Sequence, residues 1–394
     1  MAETLPLSEV PPLPAIDCKP LLDDKHIREN FINVQASTDE DAWKDAGCCL
    51  LGYPCNMLYN YSDMHDTMKF HLNNVGDPYR GSNYRINSME IEKEVLDFFA
   101  KHWHVVEEYW GYITSSGTEG NMEGLYIGRE RFPDGILYLS KDSHYSIFKI
   151  ARLFRMKFQV VNSQENGEMD YAEFEQLIKQ NAGTPAIINA NIGTTMKGAV
   201  DNISKIAEIL EKYKTEFHVH ADGALMGFVL PYIYNNLSFK KHINSIAISG
   251  HKFLGTPFPC GVFVTEKKFR SLIENRIDYI DSVDDTILGS RNGHAPLFLK
   301  HIITVKQNEG FKEDVFRCLY LAQWLVNRMQ SLGIEAWMND LSITVIFPRP
   351  AEIVVKRWQL ASNGNLSHVV VMPHVTQEML EVFLKEYLAN LSPS

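Results

Sequence analysis

At 394 residues the chain exceeds what one hydrophobic core usually supports, so a large domain with a smaller companion is expected. Its 45% hydrophobic and 22% charged residues are those of an ordinary globular protein. The 38 basic and 49 acidic residues leave a net charge of −11, spread along the chain, which argues against nucleic acid or an anionic membrane as partner.

The opening stretch has neither the basic n-region nor the apolar h-region of a signal peptide, and no run approaches the roughly 18 apolar residues that span a bilayer. Six cysteines without a CxxC pair are expected to stay reduced, and a cytoplasmic location is expected.

Residues 1 to about 24 are proline-rich and acidic and read as an arm, the start of an N-terminal segment taken to run to residue 75. A large domain is expected over 76–300. There "MEIEKEVLDFFAKHW" shows helical spacing, "YWGYIT" reads as a strand, and a helix follows from Glu119 to Arg131. Then come strand "GILYLS", helix "YSIFKIARLFRM", strand "FQVV", helix 170–180, strand "AIINANI", helix 202–214 and strands "FHVHAD", "SIAISG" and "GVFVT". Such alternation predicts an α/β fold, a mostly parallel sheet with helices on both faces. From 301 to 394 a long helix (311–331), strand "SITVIFPR", helix 351–361, strand "HVVVMP" and helix 376–390 predict a small α+β domain.

Ligands of open parallel sheets bind beyond the carboxyl ends of the strands. Four polar groups stand there: "TSSGTEGN", "KDSHYS", "HADGA" and "SGHK". In the first, Ser116, Gly117 and Thr118 open a helix whose free N–H groups and dipole favour an anion, although an ordinary helix cap reads the same way. Asp222 ends an apolar strand, where a carboxylate is either a turn residue or the partner of a cation. His218 and His220 form an HxH pair without a third ligand, so no metal is expected. Lys252 either snorkels to solvent or serves as a nucleophile, and His144 is either a satisfied core histidine or a plate beside a ligand. Taken together, an anion site, a carboxylate, a histidine and a lysine meet the needs of pyridoxal 5′-phosphate: its phosphate, its ring nitrogen and its aldehyde.

The stretches "WGYITSSGTEGN", "FPDGILYLSKDSHYSIFKIAR", "NIGTTMKGAVDN", "HVHADGALMG", "SGHKFLGTPFPCG" and "GSRNGHAPLFL" resemble the group II pyridoxal-phosphate-dependent amino-acid decarboxylases, in the branch of histidine and plant serine decarboxylases. The likeness runs from about "LGYP" (51–54) almost to the C-terminus. It implies a fold-type I, aspartate-aminotransferase-like large domain, with active sites at the interface of a homodimer. By motif it implies that Lys252 bonds the cofactor, Asp222 pairs with the ring nitrogen, and His144 stacks on the ring and meets the substrate. Ala224 would lie on the opposite ring face. Gly117, Thr118 and Ser249 would hold the phosphate, with Ser290 from the partner subunit; Thr194 or Thr195 would touch the ring oxygen, and His251 stands beside Lys252. Tyr279, in a mobile catalytic loop, would return a proton to Cα once carbon dioxide has left. Tyr53 and Cys55 of "LGYPCNM" fall at the substrate side chain.

Plant serine enzymes carry an aromatic residue where this chain has Cys55. With "IDYI" and "SITV" this leans the substrate to L-histidine, while "RWQLA" and "HVVVMP" lean toward the plant branch, with L-serine or a small neutral amino acid as the alternative. An aminotransferase would need a placed arginine, and neither Arg349 nor Arg357 lies in such a motif; a catalytically silent homologue would not be expected to keep Lys252, Asp222 and His144.

Overall fold

The computed structural model describes residues 48–105, 108–234, 242–278 and 282–390. It divides into two compact units, one of Tyr61–Asn308 and one of the residues up to Asn60 together with those from Glu309 onward.

The larger unit holds a seven-stranded sheet of β1 (Tyr109–Thr114), β2 (Ile136–Ser140), β3 (Lys157–Val161), β4 (Ala186–Asn191), β5 (Phe217–Asp222), β6 (Ser245–Ser249) and β7 (Gly261–Glu266). The spatial order is β1-β7-β6-β5-β4-β2-β3. Pairings from β3 through β6 are parallel, as the alternation predicts. Strand β7 is antiparallel to both β6 and β1. The two reversals cancel, so β1 points the same way as β6, and Thr114 and Ser249 both stand opposite Gly261. The carboxyl ends of β1, β6, β5 and β4 therefore share one edge of the sheet.

Helices connect the strands: α1 (Met89–His102), α2 (Gly117–Arg131), α3 (Tyr145–Leu153), α4 (Tyr171–Gln180) and α5 (Ile203–Lys212). Asp170 and Asn202 cap α4 and α5 by accepting first-turn N–H groups, which explains where those helices begin. Leu125, Leu137, Leu139, Ile147, Ile150 and Ile187 form a core beneath α2 and α3. Trp110, Tyr112, Ile127 and Phe263 form another beside β1 and β7. Inside the fold, Glu92 pairs with Arg291 and also accepts from Asn74 Nδ2 (2.7 Å) and the Ile113 N–H (2.7 Å). That fixes α1 to β1 and to the short strand Ser290–Asn292.

Helix α2 lies across β5, β6 and β7. It is an intrinsically poor helix, since each interior glycine costs about 1 kcal/mol relative to alanine. Its glycines are spent on closeness. A Cβ on Gly120 would stand 2.7 Å from the Ala247 Cβ, one on Gly124 2.0 Å from His220 Nδ1, and one on Gly128 2.9 Å from Ile187 Cγ2.

In the smaller unit, β8 (Thr344–Pro348), β9 (Ala361–Asn363) and β10 (Leu366–Val370) form an antiparallel sheet with β10 in the centre. Phe347, Trp358, Phe383 and Tyr387 make its aromatic core. Leu51 joins this unit by donating to the Trp358 carbonyl (3.3 Å) and accepting from the Val370 N–H (2.8 Å). The helix expected over 351–361 covers only Glu352–Arg357; the chain then turns into β9, and Gly364, at φ +60°, closes a hairpin. The helix expected over 311–331 is the second of two that meet at a kink at Gln307 within the stretch from His294 to Ser331. The proline-rich arm lies outside the described residues. Among these residues no helix is long and apolar enough to cross a membrane.

Gly124→Ala is expected to destabilise the protein by about 1–3 kcal/mol through overpacking against His220, read as a lower urea midpoint. A gain of about 1 kcal/mol, which helix propensity alone would give, would show that α2 does not sit this close.

Candidate active site

Beyond the shared strand edge lies a cleft of about 160 Å³ whose wall includes Ser116, Gly117, Thr118, His144, Asp222 and Lys252. All four polar groups picked out along the chain meet there. Thr194, Thr195, Ala224, Ser249 and His251 line it as well.

The anion end is the start of α2. Ser116 caps the helix by accepting the Glu119 N–H, and the N–H groups of Gly117 and Thr118, in the first turn, have no acceptor within the helix. A Cβ on Gly117 would lie 2.6 Å from Ser249 Oγ and 3.1 Å from the Ala224 Cβ, so only glycine lets the helix start this close to β6. Main-chain donors and the Ser249 hydroxyl thus share one small concavity.

His144 caps α3, its Nδ1 lying 2.7 Å from Ser146 Oγ and 3.3 Å from the Ser146 nitrogen. With Nδ1 accepting there, the remaining ring proton belongs on Nε2. Burial lowers the His144 pKa, with the Lys252 charge acting in the same direction and the Asp222 charge against it. The ring is therefore neutral at pH 7.

Asp222 is buried at the end of β5 and accepts the Ala224 N–H at 3.2 Å. Lys252 follows Gly250 and His251 directly after β6. The loop beyond it is tied down by Gly250 N–H to the Cys260 carbonyl (2.9 Å), Thr256 N–H to the Gly250 carbonyl (3.3 Å) and Thr256 Oγ1 to the Phe258 carbonyl (2.9 Å). His251 Nδ1 also meets the Cys260 carbonyl, at 3.0 Å. A lysine carried on so constrained a loop keeps its direction.

In "NIGTT", Gly193 has φ +97°, and a Cβ there would stand 2.5 Å from Met226 Cγ. The turn presents Thr194, whose Oγ1 accepts the Ala199 N–H at 3.0 Å. Asn191, also on the wall, gives its amide nitrogen and its N–H to Asp201 Oδ2 (2.8 and 2.7 Å). Burial raises the Asp201 carboxyl to about 6. Asn121, Asn191 and Leu225 line the cleft without having been picked out from the sequence. Their signal, a polar or bulky residue one helical turn or one strand step from a chosen one, is legible only once the register is known.

The other candidate residues fall elsewhere. Ser290 lies on its own short strand, exposed, with its Oγ accepting from Asn73 Nδ2 (3.2 Å). Tyr53 (exposed) and Cys55 (half-buried) belong to the smaller unit. Tyr279 lies outside the described residues. His218 and His220 share Ser245 Oγ (3.3 and 2.9 Å), and among the described residues no His, Cys, Asp or Glu cluster suited to a metal occurs.

The pyridoxal-dependent decarboxylase conserved domain matches residues 133–347. The chain belongs to that family. A serine decarboxylase of Oryza sativa subsp. japonica is 48% identical over 342 residues, covering 85% of this chain and 71% of its own. Histidine decarboxylases of Solanum lycopersicum and Morganella morganii are each 44% identical, the first over 86% of this chain and 84% of its own, the second over 82% and 87%. In structure, an L-methionine decarboxylase from Streptomyces sp. 590 superposes with a TM-score of 0.82 at 24% identity, covering 96% of this chain and 98% of that one; it shares the fold. The protein is thus a carboxy-lyase, a pyridoxal-phosphate-dependent amino-acid decarboxylase of fold-type I. The cleft suits that cofactor: the glycine-floored concavity matches a phosphate, and Asp222 and Lys252 match a ring nitrogen and an aldehyde.

Burial pushes the His220 pKa down to about 3, so the folded protein keeps this ring neutral while the unfolded chain protonates it near 6.5. Its contribution to stability is complete above that value and is lost as pH falls toward 3, at about 1.4 kcal/mol per pH unit. Urea midpoints measured from pH 7 to 5 should fall less steeply for His220→Asn than for the wild type.

Proposed function

We propose that the chain converts L-histidine to histamine and carbon dioxide, as a cytoplasmic homodimer with active sites at the subunit interface. Its residue roles rest on one observation above all: Lys252, Asp222, His144 and the start of α2 line a single cleft. The preference for histidine rests on Cys55, whose small side chain leaves room for an imidazole that an aromatic residue would crowd. A second reading, L-serine to ethanolamine, is supported by the rice serine decarboxylase, at 48% identity against 44% for the histidine enzymes.

When bound, pyridoxal phosphate supplies an aldehyde for the substrate amine and a ring that takes up the electron pair freed as carbon dioxide leaves. The chain supplies the rest. Gly117, Thr118 and Ser249, with Ser290 of a second copy, hold the phosphate. Asp222 offers a fixed negative charge to the ring nitrogen, an interaction that strengthens as charge builds up and so favours the transition state. Ala224 and His144 would flank the ring, and the Nε2–H of His144 would donate to the substrate carboxylate. Thr194 or Thr195 donates to the ring oxygen. Lys252, beside His251, would hold the cofactor through the aldehyde, which the lysine amine is placed to meet. Tyr279 delivers the proton to Cα, a step for which a positioned acid contributes about 10²–10⁴-fold.

Borohydride reduction of the loaded protein followed by peptide mapping is expected to label Lys252. A label on Lys141 or Lys197 instead would remove the assignment on which the other roles depend.

The substrate is tested by carbon dioxide release from histidine and serine in the wild type and in Cys55→Tyr. Histidine should be the better substrate of the wild type, and the substitution should shift the ratio of kcat/KM values toward serine by about tenfold, as one bulky group in a pocket does. A wild type that prefers serine would establish the second reading.

A further inference from the structure

Tyr61 is buried and stands just before the 3₁₀ helix Ser62–Lys69. Its hydroxyl oxygen lies 2.6 Å from the carbonyl oxygen of Leu254, a residue 193 positions further on and only two beyond Lys252. A carbonyl can only accept, so the phenol donates. Burial holds the Tyr61 pKa above its ordinary value, and the proton stays in place. Leu254 is fully buried, and among the described residues no other donor reaches its carbonyl.

Leu254 belongs to the turn that carries the lysine. The Gly255 N–H donates to the Lys252 carbonyl at 3.1 Å, and Gly255 closes the turn at φ +60°. The ties at Gly250 and Thr256 fasten the chain on either side of Lys252, and the Tyr61 hydroxyl fastens it between them, inside the turn. The phenol is itself held. Its ring stacks on Phe298 with centroids 5.5 Å apart, and Phe258, further along the same loop, meets Phe298 edge-on at 4.9 Å. Leu299 packs beneath the start of the loop, where a Cβ on Gly250 would lie 3.2 Å from its Cδ2. The first of the two helices that meet at Gln307 thus braces the loop directly through Leu299 and indirectly through Tyr61. A lysine stem is long and flexible, so what a fold can fix is the main chain from which it springs.

We propose that Tyr61 is a positioning residue for Lys252: by holding the Leu254 carbonyl, its hydroxyl fixes the turn that carries the lysine and aims the amine at the cofactor's aldehyde. Without the hydroxyl the buried carbonyl has no partner, and the turn gains by moving to find one. The amine then has to be brought back into line each time it meets the aldehyde. The inference rests on the reading that Lys252 holds the cofactor through that aldehyde.

The test compares two ligands of the cofactor-free full chain by equilibrium dialysis, pyridoxal phosphate and 4′-deoxypyridoxine 5′-phosphate. The second has a methyl group in place of the aldehyde, so it cannot condense with an amine and release water. The wild type should prefer the aldehyde by about 100-fold or more, because a positioned amine reacts as an intramolecular partner. Tyr61→Phe keeps the ring on Phe298 and removes only the hydroxyl, so it should bind the analogue as the wild type does. Its preference for the aldehyde should fall about 5–30-fold, the span of one hydrogen bond left unmade at a buried group. Should this variant not fold, Phe298→Leu, which withdraws the ring that holds the phenol, takes its place with an expected fall of about threefold or more. A lower urea midpoint with the preference unchanged would overturn the proposal, since the hydroxyl would then support the fold alone. No preference in the wild type would overturn the Lys252 assignment and the proposal with it.

Discussion

The close approach of α2 to the sheet is the constraint on which the site depends. A helix normally stands about 10 Å from a sheet because side chains fill the gap, and here glycines at 117, 120, 124 and 128 remove them. Three features follow from that proximity. The first-turn N–H groups come down to the level of Ser249, Asn121 reaches His220, and the cleft acquires a floor of main chain. The helix gives up intrinsic stability for this, and the Leu125 and Ile127 cores on either side compensate by burying apolar surface.

Charge in the cleft is handled with equal economy. Among the described residues its wall carries one carboxylate and one lysine; the histidines around them are kept uncharged by burial. Neutral rings can serve as spacers, plates and directed hydrogen-bond donors without competing for the cofactor's charges. Fixed dipoles that need no reorganisation are the usual source of electrostatic catalysis, and those of Ser116, Asn191 and Thr194 are each tied to a neighbouring backbone or carboxylate group.

Much of this was legible before any coordinates. The alternation of strands and helices forecast the parallel part of the sheet, and polar residues after apolar runs marked the cleft, because strand direction alone brings such ends together. The antiparallel β7 was not legible, since strand "GVFVT" looks the same in either direction, and only the cancelling reversal at β1 kept "TSSGTEGN" at the correct edge. Asn121 and Asn191 escaped notice for another reason: their partners His220 and Asp201 lie 99 and 10 positions away, and pairing at such separations is set by register. The helix over 351–361 stopped short because Gln359 takes a positive φ, which no helical periodicity reveals.

Among the described residues strand β3 closes one side of the sheet and pairs only with β2. No strand among those residues pairs with its outer side, and Phe158 and Val160 stand exposed on it. What opposes such pairing at a distance is the net charge of −11, and that repulsion reaches only about 8 Å at physiological ionic strength. Lys157, the one charged residue of the strand, is of the opposite sign to the molecule as a whole and attracts a second copy instead of repelling it. Salt screens that repulsion and the attraction of Lys157 alike, so ionic strength bears on any association through this rim.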